Sequence, residues 1–372
     1  MILKNFFENN NYLQRTRQVS APIRGDYFRD QTEIIHSTAF RRLKHKTQVF
    51  FSPENDHVCT RIEHVLHVAT IASSICKGLN LCGWELDIEL ATAIGMGHDL
   101  GHAPFGHTGE SILNKLLDNE RFCHEMHSYR IVEKLSRNGN GMNLTYAVKD
   151  GIINHNGEKF EQFLGPSKIL YNLEDINERK YIPTTIEGCI VRFSDKIAYM
   201  GRDVEDAKIA GIINDSDLPE QVKKTLGSTN ARIIDVLVTD VIEWSNANGK
   251  IGFSPQIFEV VAELKKFNYQ KIYNAPIMME YNQKGEQIIK IVFEFLLDVI
   301  TKYDDDFEKY FADQLQLVQH FGYFLQNVKD RHVLENCSNK RKVSDFIAGM
   351  TDNFILNAVN QIIFPKPINF KY

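Results

Sequence analysis

The chain lacks the features that mark secreted and membrane-spanning proteins. It contains six cysteines and no CxxC pair, which predicts buried thiols in a reducing compartment. No run of about twenty apolar residues is present, so we expect no membrane span. The net charge of −5 at pH 7 shows no basic excess, and nucleic acid is a possible but not an indicated partner. Residues 1–17 lack the apolar region of a signal peptide, and we expect a cytoplasmic protein.

What the sequence does contain is helical periodicity along most of its 372 residues. Apolar residues recur at intervals of three and four, which is typical of helices that bury one face. We therefore predict an all-α fold. The predicted helices are 60–82, 85–97, 110–118, 127–136, 143–154, 186–207, 218–226, 230–247, 254–267, 282–303, 306–329 and 343–361. Short extended segments are predicted at 46–51 and 269–277, and the polar stretch 156–183 predicts a long connection or lid.

The segment 98–110 concentrates side chains that bind metals or transfer protons. It contains His98, Asp99, His102, His107 and Glu110, separated by three glycines and one proline. Buried polar groups are costly unless they are paired, so a packed core has little use for so many of them. The segment therefore predicts a metal site with catalytic groups beside it.

Further metal ligands have to come from other helices. His98 and Asp99 are adjacent at the end of an apolar helix, and the candidates that would join them are His64 and Asp195. Two imidazoles and two carboxylates suit Mn, Fe, Co, Ni or Zn better than Mg on ligand grounds. Because Mg is abundant, we expect a divalent cofactor that is Mn, Mg or another first-row transition metal.

The helix that carries Asp195 has a polar stripe. Asp195, Tyr199 and Asp203 are four residues apart, so they follow one side of the helix. Such a stripe either lines a pocket or faces solvent. The apolar neighbours of Asp195 favour a functional role for it, and both interpretations stay open for Asp203.

Four blocks of sequence resemble bacterial deoxyguanosine triphosphate triphosphohydrolases and their dNTPase relatives, which belong to the HD-domain phosphohydrolases. The blocks are 37–50, 98–110, 192–203 and 345–352. The resemblance extends over nearly the whole chain, from about residue 15 to residue 356. It implies an all-helical HD-domain fold with additional C-terminal helices. It also implies hydrolysis of a dNTP, either dGTP or several dNTPs, to a deoxynucleoside and inorganic triphosphate.

The resemblance also implies roles for individual residues. The metal ligands would be His64, His98, Asp99 and Asp195. The phosphate contacts would be Arg61, His102, His124 and Lys196. Tyr199 would exclude a ribose 2′-hydroxyl, and Gln48 and Asp203 would hold the 3′-hydroxyl.

His107 and Glu110 match the catalytic His–acid pair of the family. They are three residues apart at the start of a helix, where a carboxylate can orient an imidazole and raise its pKa. The departing 5′-oxygen needs a proton near neutral pH, and histidine suits that task. We predict His107 as the general acid with Glu110 as its partner, while a role as base or nucleophile stays open. His155 is expected as no more than a possible contact.

The expected organisation has three parts. Residues 1–54 form an N-terminal arm that contributes to the nucleotide pocket, and 55–210 form the metal-binding catalytic core. Residues 211–372 form a C-terminal helical region packed on that core as one unit. The resemblance further implies a homo-oligomer, with a hexamer favoured, and a possible dNTP effector at a subunit interface.

Two alternative functions stay open at this point. One is an HD phosphohydrolase for a monophosphate, a cyclic nucleotide or an alarmone. Tyr199 and Asp203 in register with Asp195 argue against it. The other is a non-catalytic protein that senses dNTPs or binds nucleic acid. The His107–Glu110 pair argues against that one, because a pure binder needs no proton donor.

Overall fold

The computed structural model describes residues 4–50, 58–118, 120–157 and 159–364. Its α-helices are α1 (Asn9–Tyr12), α2 (Asp26–Ile35), α3 (Thr38–Arg42), α4 (Arg61–Leu81), α5 (Ile88–Gly97), α6 (His107–Leu116), α7 (His124–Arg130), α8 (Ser136–Gly139), α9 (Tyr146–Ile153), α10 (Ile186–Ile209), α11 (Glu220–Thr225), α12 (Asn230–Asn248), α13 (Pro255–Phe267), α14 (Pro276–Tyr303), α15 (Phe307–Ala312), α16 (Gln316–Asn327), α17 (Lys329–Leu334), α18 (Asn339–Ala348) and α19 (Asp352–Ile363).

Other regular structure is sparse in the described ranges. Two-residue strands, β1 (Phe163–Leu164) and β2 (Ile251–Gly252), pair antiparallel. Short 3-10 helices occupy Leu43–His45, Leu173–Asp175 and Asp215–Asp217, and π-helices occupy Ile131–Leu135 and Asn268–Tyr273. The expected all-α, HD-type fold with additional C-terminal helices is confirmed. None of the described helices is both long and apolar enough to cross a membrane.

Helices α4, α5 and α10 pack together at the centre of the larger apolar core. A capping box formed by Thr60 and Glu63 starts α4, because each side chain satisfies a backbone N–H that the first turn leaves free. In α10 the apolar stripe of the sequence is buried as expected. It consists of Ile190, Phe193, Ile197, Met200 and Val204.

The segment between α5 and α6 lies close against α7. Ser128 accepts a hydrogen bond from the backbone N–H of Gly101 and donates one to the carbonyl of His98. A Cβ at Gly101 would lie 2.1 Å from the backbone nitrogen of Ser128, so a larger residue does not fit there. Gly106 has φ +61 just before α6, a conformation that favours glycine.

A second apolar core joins α6 to the C-terminal helices α14, α16, α18 and α19. Phe105, from the segment before α6, belongs to this core. The carboxylate of Asp352, at the start of α19, accepts hydrogen bonds from the backbone N–H groups of Thr47 and Phe105 at 2.8 and 3.0 Å. One C-terminal side chain therefore fixes two segments that border the same cavity.

Several predicted elements differ from the structure. The extended segment expected at 269–277 is wrong, since a π-helix occupies Asn268–Tyr273 and α14 begins at Pro276. The helix expected at 306–329 is divided into α15 and α16, and the one expected at 343–361 is divided into α18 and α19. Within 46–51, Thr47 forms an isolated bridge with Thr60, and residue 51 lies outside the described ranges. The small β1–β2 pair was not expected.

Candidate active site

The four predicted metal ligands converge from three helical segments. His64 lies on α4, His98 and Asp99 follow α5, and Asp195 lies on α10. His64 Nε2 is 3.0 Å from Asp195 Oδ1 and 3.8 Å from Asp99 Oδ2. His98 Nε2 is 3.7 Å from Asp99 Oδ1 and 3.8 Å from Asp195 Oδ1. Imidazole nitrogens and carboxylate oxygens therefore face one another across a single small space.

The hydrogen bonding of His98 is typical of a metal ligand. Its Nδ1–H donates to the carbonyl of Gly95 at 2.7 Å, an arrangement that fixes the tautomer and leaves a lone pair on Nε2. This Nε2 is buried and has no hydrogen-bond partner among the described residues, which is unusual for a buried polar atom. Burial also lowers the pKa of His98, which favours the neutral form that binds metals. These residues fit a divalent cation.

Asp99 is held in its charged form. Burial acts to raise its pKa, but His98 and Arg61 outweigh burial and keep the pKa well below its ordinary value. Arg61 Nη1 donates to Asp99 Oδ2 at 2.6 Å. The lowered pKa favours the carboxylate form of Asp99, which is the form that binds a cation.

A cavity of about 690 Å³ opens beside this cluster. Its walls include all the predicted site residues except the fully buried His98 and the buried Glu110. The predicted residues in its walls are Gln48, Arg61, His64, Asp99, His102, His107, His124, Asp195, Lys196, Tyr199 and Asp203. The structure therefore brings together side chains that are distant in the sequence, and their individual roles stay predictions.

One side of the cavity is a group of histidines around Glu110. His124 Nδ1 is 2.7 Å from Glu110 Oε2, while His107 Nδ1 is 3.6 Å from the same oxygen. The ring of His102 stacks on that of His124 with centroids 4.1 Å apart. Glu110 is therefore closer to His124 than to His107, a contact that the spacing of the sequence did not reveal.

The histidines of this group differ in charge. Burial acts to lower the pKa of His124, but Glu125 and Glu110 outweigh it and raise the pKa to about 9. Burial and Arg61 lower the pKa of His102 well below its ordinary value. At neutral pH the site thus combines a cationic His124 with a neutral His102. The side chain of His107 is 78% exposed and lines the cavity.

His155 also lies beside this group. Its Nδ1–H donates to the carbonyl of Ile152 at 2.7 Å, and its Nε2 is 3.3 Å from His124 Nε2. His155 therefore lies next to the predicted site residues but is not among the residues that line the cavity.

The cations expected to bind phosphate are paired with carboxylates of the protein. Arg61 contacts Asp99, as described above, and Lys196 Nζ donates to Glu161 Oε2 at 2.9 Å. The cavity wall also contains lysines that belong to none of the sequence motifs: Lys159, Lys265 and Lys266. Several positive charges thus surround the cavity, which suits a polyanionic ligand.

Another part of the cavity wall includes Tyr199 and Asp203 of α10 and residues of the π-helix at Asn268–Tyr273. The Tyr273 hydroxyl donates to Asp203 Oδ2, and burial raises the pKa of Asp203 to about 7. Gln48 Oε1 is buried without a hydrogen-bond partner in the described part of the chain. Tyr273 was missed because its segment was predicted to be extended.

The connection 156–183 is attached to the site at two points. Glu161 contacts Lys196 and Arg192, and Arg179 contacts Glu110 and Glu125. Neither Glu161 nor Arg179 belongs to a motif, so the sequence carried no signal for them. The expectation that this connection acts as a lid stays a prediction.

Comparisons with known proteins agree with this geometry. Residues 61–200 match the HD domain, and residues 251–361 match the phosphohydrolase-associated domain. Relatives described as deoxyguanosinetriphosphate triphosphohydrolase-like proteins are similar to nearly the whole chain. The protein from Caldanaerobacter subterraneus subsp. tengcongensis is 38% identical over 346 residues, covering 93% of this chain and 87% of its own. Those from Desulfatibacillum aliphaticivorans and Clostridium tetani are 35% and 36% identical over 354 and 349 residues, covering 94% and 92% of this chain and 91% and 87% of their own.

Proposed function

The chain belongs to the HD-domain family of deoxyguanosinetriphosphate triphosphohydrolase-like proteins, and we propose that it is a cytoplasmic, metal-dependent hydrolase of deoxynucleoside triphosphates. Its products would be a deoxynucleoside and inorganic triphosphate. The family membership expected from the four sequence blocks is confirmed. One observation carries the proposal. A cluster of possible metal ligands, a group of histidines around a glutamate and several cationic side chains all lie at one cavity.

His64, His98, Asp99 and Asp195 would hold the metal ion. A bound divalent ion lowers the pKa of water and neutralises phosphate charge. The unpartnered Nε2 of His98 supports this assignment. A buried acceptor that has no donor costs free energy, and a bound metal ion would remove that cost.

His107 would donate the proton that the 5′-oxygen of the deoxynucleoside requires when it departs. Histidine is the side chain whose ordinary pKa suits this transfer near neutral pH. Glu110 lies behind His107 and is also bound to His124. We therefore assign Glu110 the task of orienting both imidazoles toward the cavity.

Arg61, His102, His124 and Lys196 would contact the phosphates. Lys196 is engaged by Glu161, so a triphosphate that reaches Lys196 exchanges one anionic partner for another. This exchange keeps the buried ammonium paired throughout, which avoids the cost of an isolated buried charge.

Tyr199, Gln48 and Asp203 would recognise the sugar. A ring beside C2′ leaves no room for a ribose hydroxyl, and the carboxyl oxygen of Asp203 and the amide oxygen of Gln48 can accept a hydrogen bond from the 3′-hydroxyl. Tyr273 joins this set through its hydrogen bond to Asp203. The homo-oligomer, with a hexamer favoured, and the dNTP effector between subunits stay predictions from the resemblance.

The proposal is tested by product analysis. The purified protein is incubated with each dNTP, singly and mixed, in the presence of Mn²⁺ or Mg²⁺, and the products are separated by chromatography. Asp195→Asn is the inactive control, and Asp298→Asn, at an exposed position on α14, is its matched charge control. Deoxynucleoside and triphosphate support the proposal. Orthophosphate or a linear monophosphate points to another HD phosphohydrolase, and no product under any condition contradicts an enzymatic role on dNTPs.

A further inference from the structure

Arg179 places a guanidinium between two buried acids at the back of the candidate site. Its Nη2 donates to Glu110 Oε1 at 2.5 Å, and its Nε donates to Glu125 Oε1 at 2.6 Å. The same Nη2 reaches Glu125 Oε2 at 3.1 Å. Arg179 lies on the connection 156–183, whereas the acids lie on α6 and α7. The contact therefore joins three separate segments.

The two acids need a cation in this position. Glu110, Cys123 and Glu125 place side-chain ligand atoms within 4.8 Å of one another, and all three residues are buried. Like charges at such a distance in a water-poor environment repel strongly. His124 contacts both acids, with Nδ1 2.7 Å from Glu110 and 3.7 Å from Glu125. Arg179 lies within hydrogen-bond distance of both carboxylates and supplies a permanent positive charge between them.

The two carboxylate oxygens of Glu110 have different partners. Oε1 accepts from Arg179, and Oε2 faces His124 and His107. A guanidinium has a planar, rigid set of donors, so it fixes the plane of the carboxylate that it binds. If Oε1 were free, the carboxylate could turn about its terminal bond, whose rotation is broad.

We propose that Arg179 is a positioning residue, which fixes Glu110 so that one oxygen stays directed at the imidazoles of His107 and His124. This inference rests on the proposed function, because it concerns the group that would transfer the proton. Arg179 does not line the cavity, so it acts through Glu110 and not on the substrate.

The first test compares Arg179→Met with Lys180→Met. Lys180 is the neighbouring cation, is exposed, and pairs with Glu178. Arg179→Met should lower kcat for dNTP hydrolysis by about 10- to 100-fold, the size typical when the partner that orients a functional group is lost. KM should change little, because substrate contacts are unaltered. Lys180→Met should leave both constants unchanged.

Chemical rescue separates positioning from general loss of structure. Arg179→Ala leaves a space beside Glu110, and guanidinium ions at non-denaturing concentration should restore part of kcat, while the same concentration of Na⁺ should not. A variant that is merely misfolded gains nothing from guanidinium.

A crystal structure of Arg179→Met gives a readout that needs no activity. We expect the Glu110 carboxylate to be rotated away from His124. An unchanged Glu110, or an unchanged kcat in a variant whose Glu110 has moved, overturns the inference. If the unaltered protein hydrolyses no dNTP, the proposed function fails, and the position of Glu110 in the variant still decides whether Arg179 holds it.

Discussion

Asp203→Asn tests whether the structure buries this carboxyl group in its protonated form. Asp203 is 2% exposed, and burial raises its pKa from the ordinary 3.8 to about 7. Asn keeps an oxygen that can accept the hydrogen bond from Tyr273, but it cannot ionise. The substitution therefore removes the titration and preserves the shape.

The pKa values of Asp203 in the unfolded and folded chains determine how the folding free energy changes with pH. In the unfolded chain the carboxyl loses its proton near pH 3.8, whereas in the folded protein it keeps the proton up to about pH 7. As the pH rises through this window, the original protein loses folding free energy and the Asn variant does not. Each pH unit is worth about 1.4 kcal/mol. The original protein should therefore lose about 4 kcal/mol relative to the variant between about pH 4 and pH 7, and no more above that.

Urea unfolding followed by circular dichroism, at several pH values for both proteins, measures this difference. Tyr273→Phe is a companion variant. It removes the hydrogen bond that lowers the pKa of Asp203, so the pKa of Asp203 rises further. The folding free energy of this variant should therefore keep falling up to a higher pH than in the original protein. If the free energies of unfolding of Asp203→Asn and the original protein differ by the same amount at every pH, the reasoning is refuted.

Three further predictions concern the reaction. Asp195→Ala should lose bound Mn²⁺, measured by elemental analysis after gel filtration, and full metal content would contradict its role as a ligand. His107→Ala should bind metal and dNTP normally, by calorimetry, while kcat falls by about 100-fold or more. Unchanged turnover would remove His107 from the mechanism. Tyr199→Ala should raise the kcat/KM for GTP relative to that for dGTP by about tenfold, and an unaltered ratio would show that Tyr199 does not exclude the ribose hydroxyl.

The parts of the fold that could be predicted are those encoded locally. The stripe from Ile190 to Val204 gave α10 because its period is the period of the helix itself. The segment 269–277 was predicted to be extended, whereas it forms a π-helix and the start of α14. Aromatic residues there are typical of strands, but burial of Asn268 and Ile272 and packing of the π-helix against α10 decide the conformation.

In the candidate site, too, some residues could be predicted from the sequence and others depend on contacts between distant segments. The predicted members were identified from motifs or from the family resemblance, and the structure places them in or beside the walls of one cavity. Arg179 and Glu161 could not be found in this way. Arg179 is 69 residues from Glu110, and Glu161 is 35 residues from Lys196. A charged residue in a polar connection resembles ordinary solvated surface until the fold supplies its partner.

The hydrogen bonds of Asp352 have a consequence for synthesis of the chain. The carboxylate that fixes Thr47 and Phe105 lies 305 and 247 residues after them. A ribosome therefore completes every metal-type ligand and every histidine of the site long before it makes the residue that holds the surrounding backbone. Contacts between such distant residues also form slowly. The cavity accordingly reaches its final form only after translation is nearly finished, and a chain cut short before α19 lacks that support even though it contains all the predicted site residues.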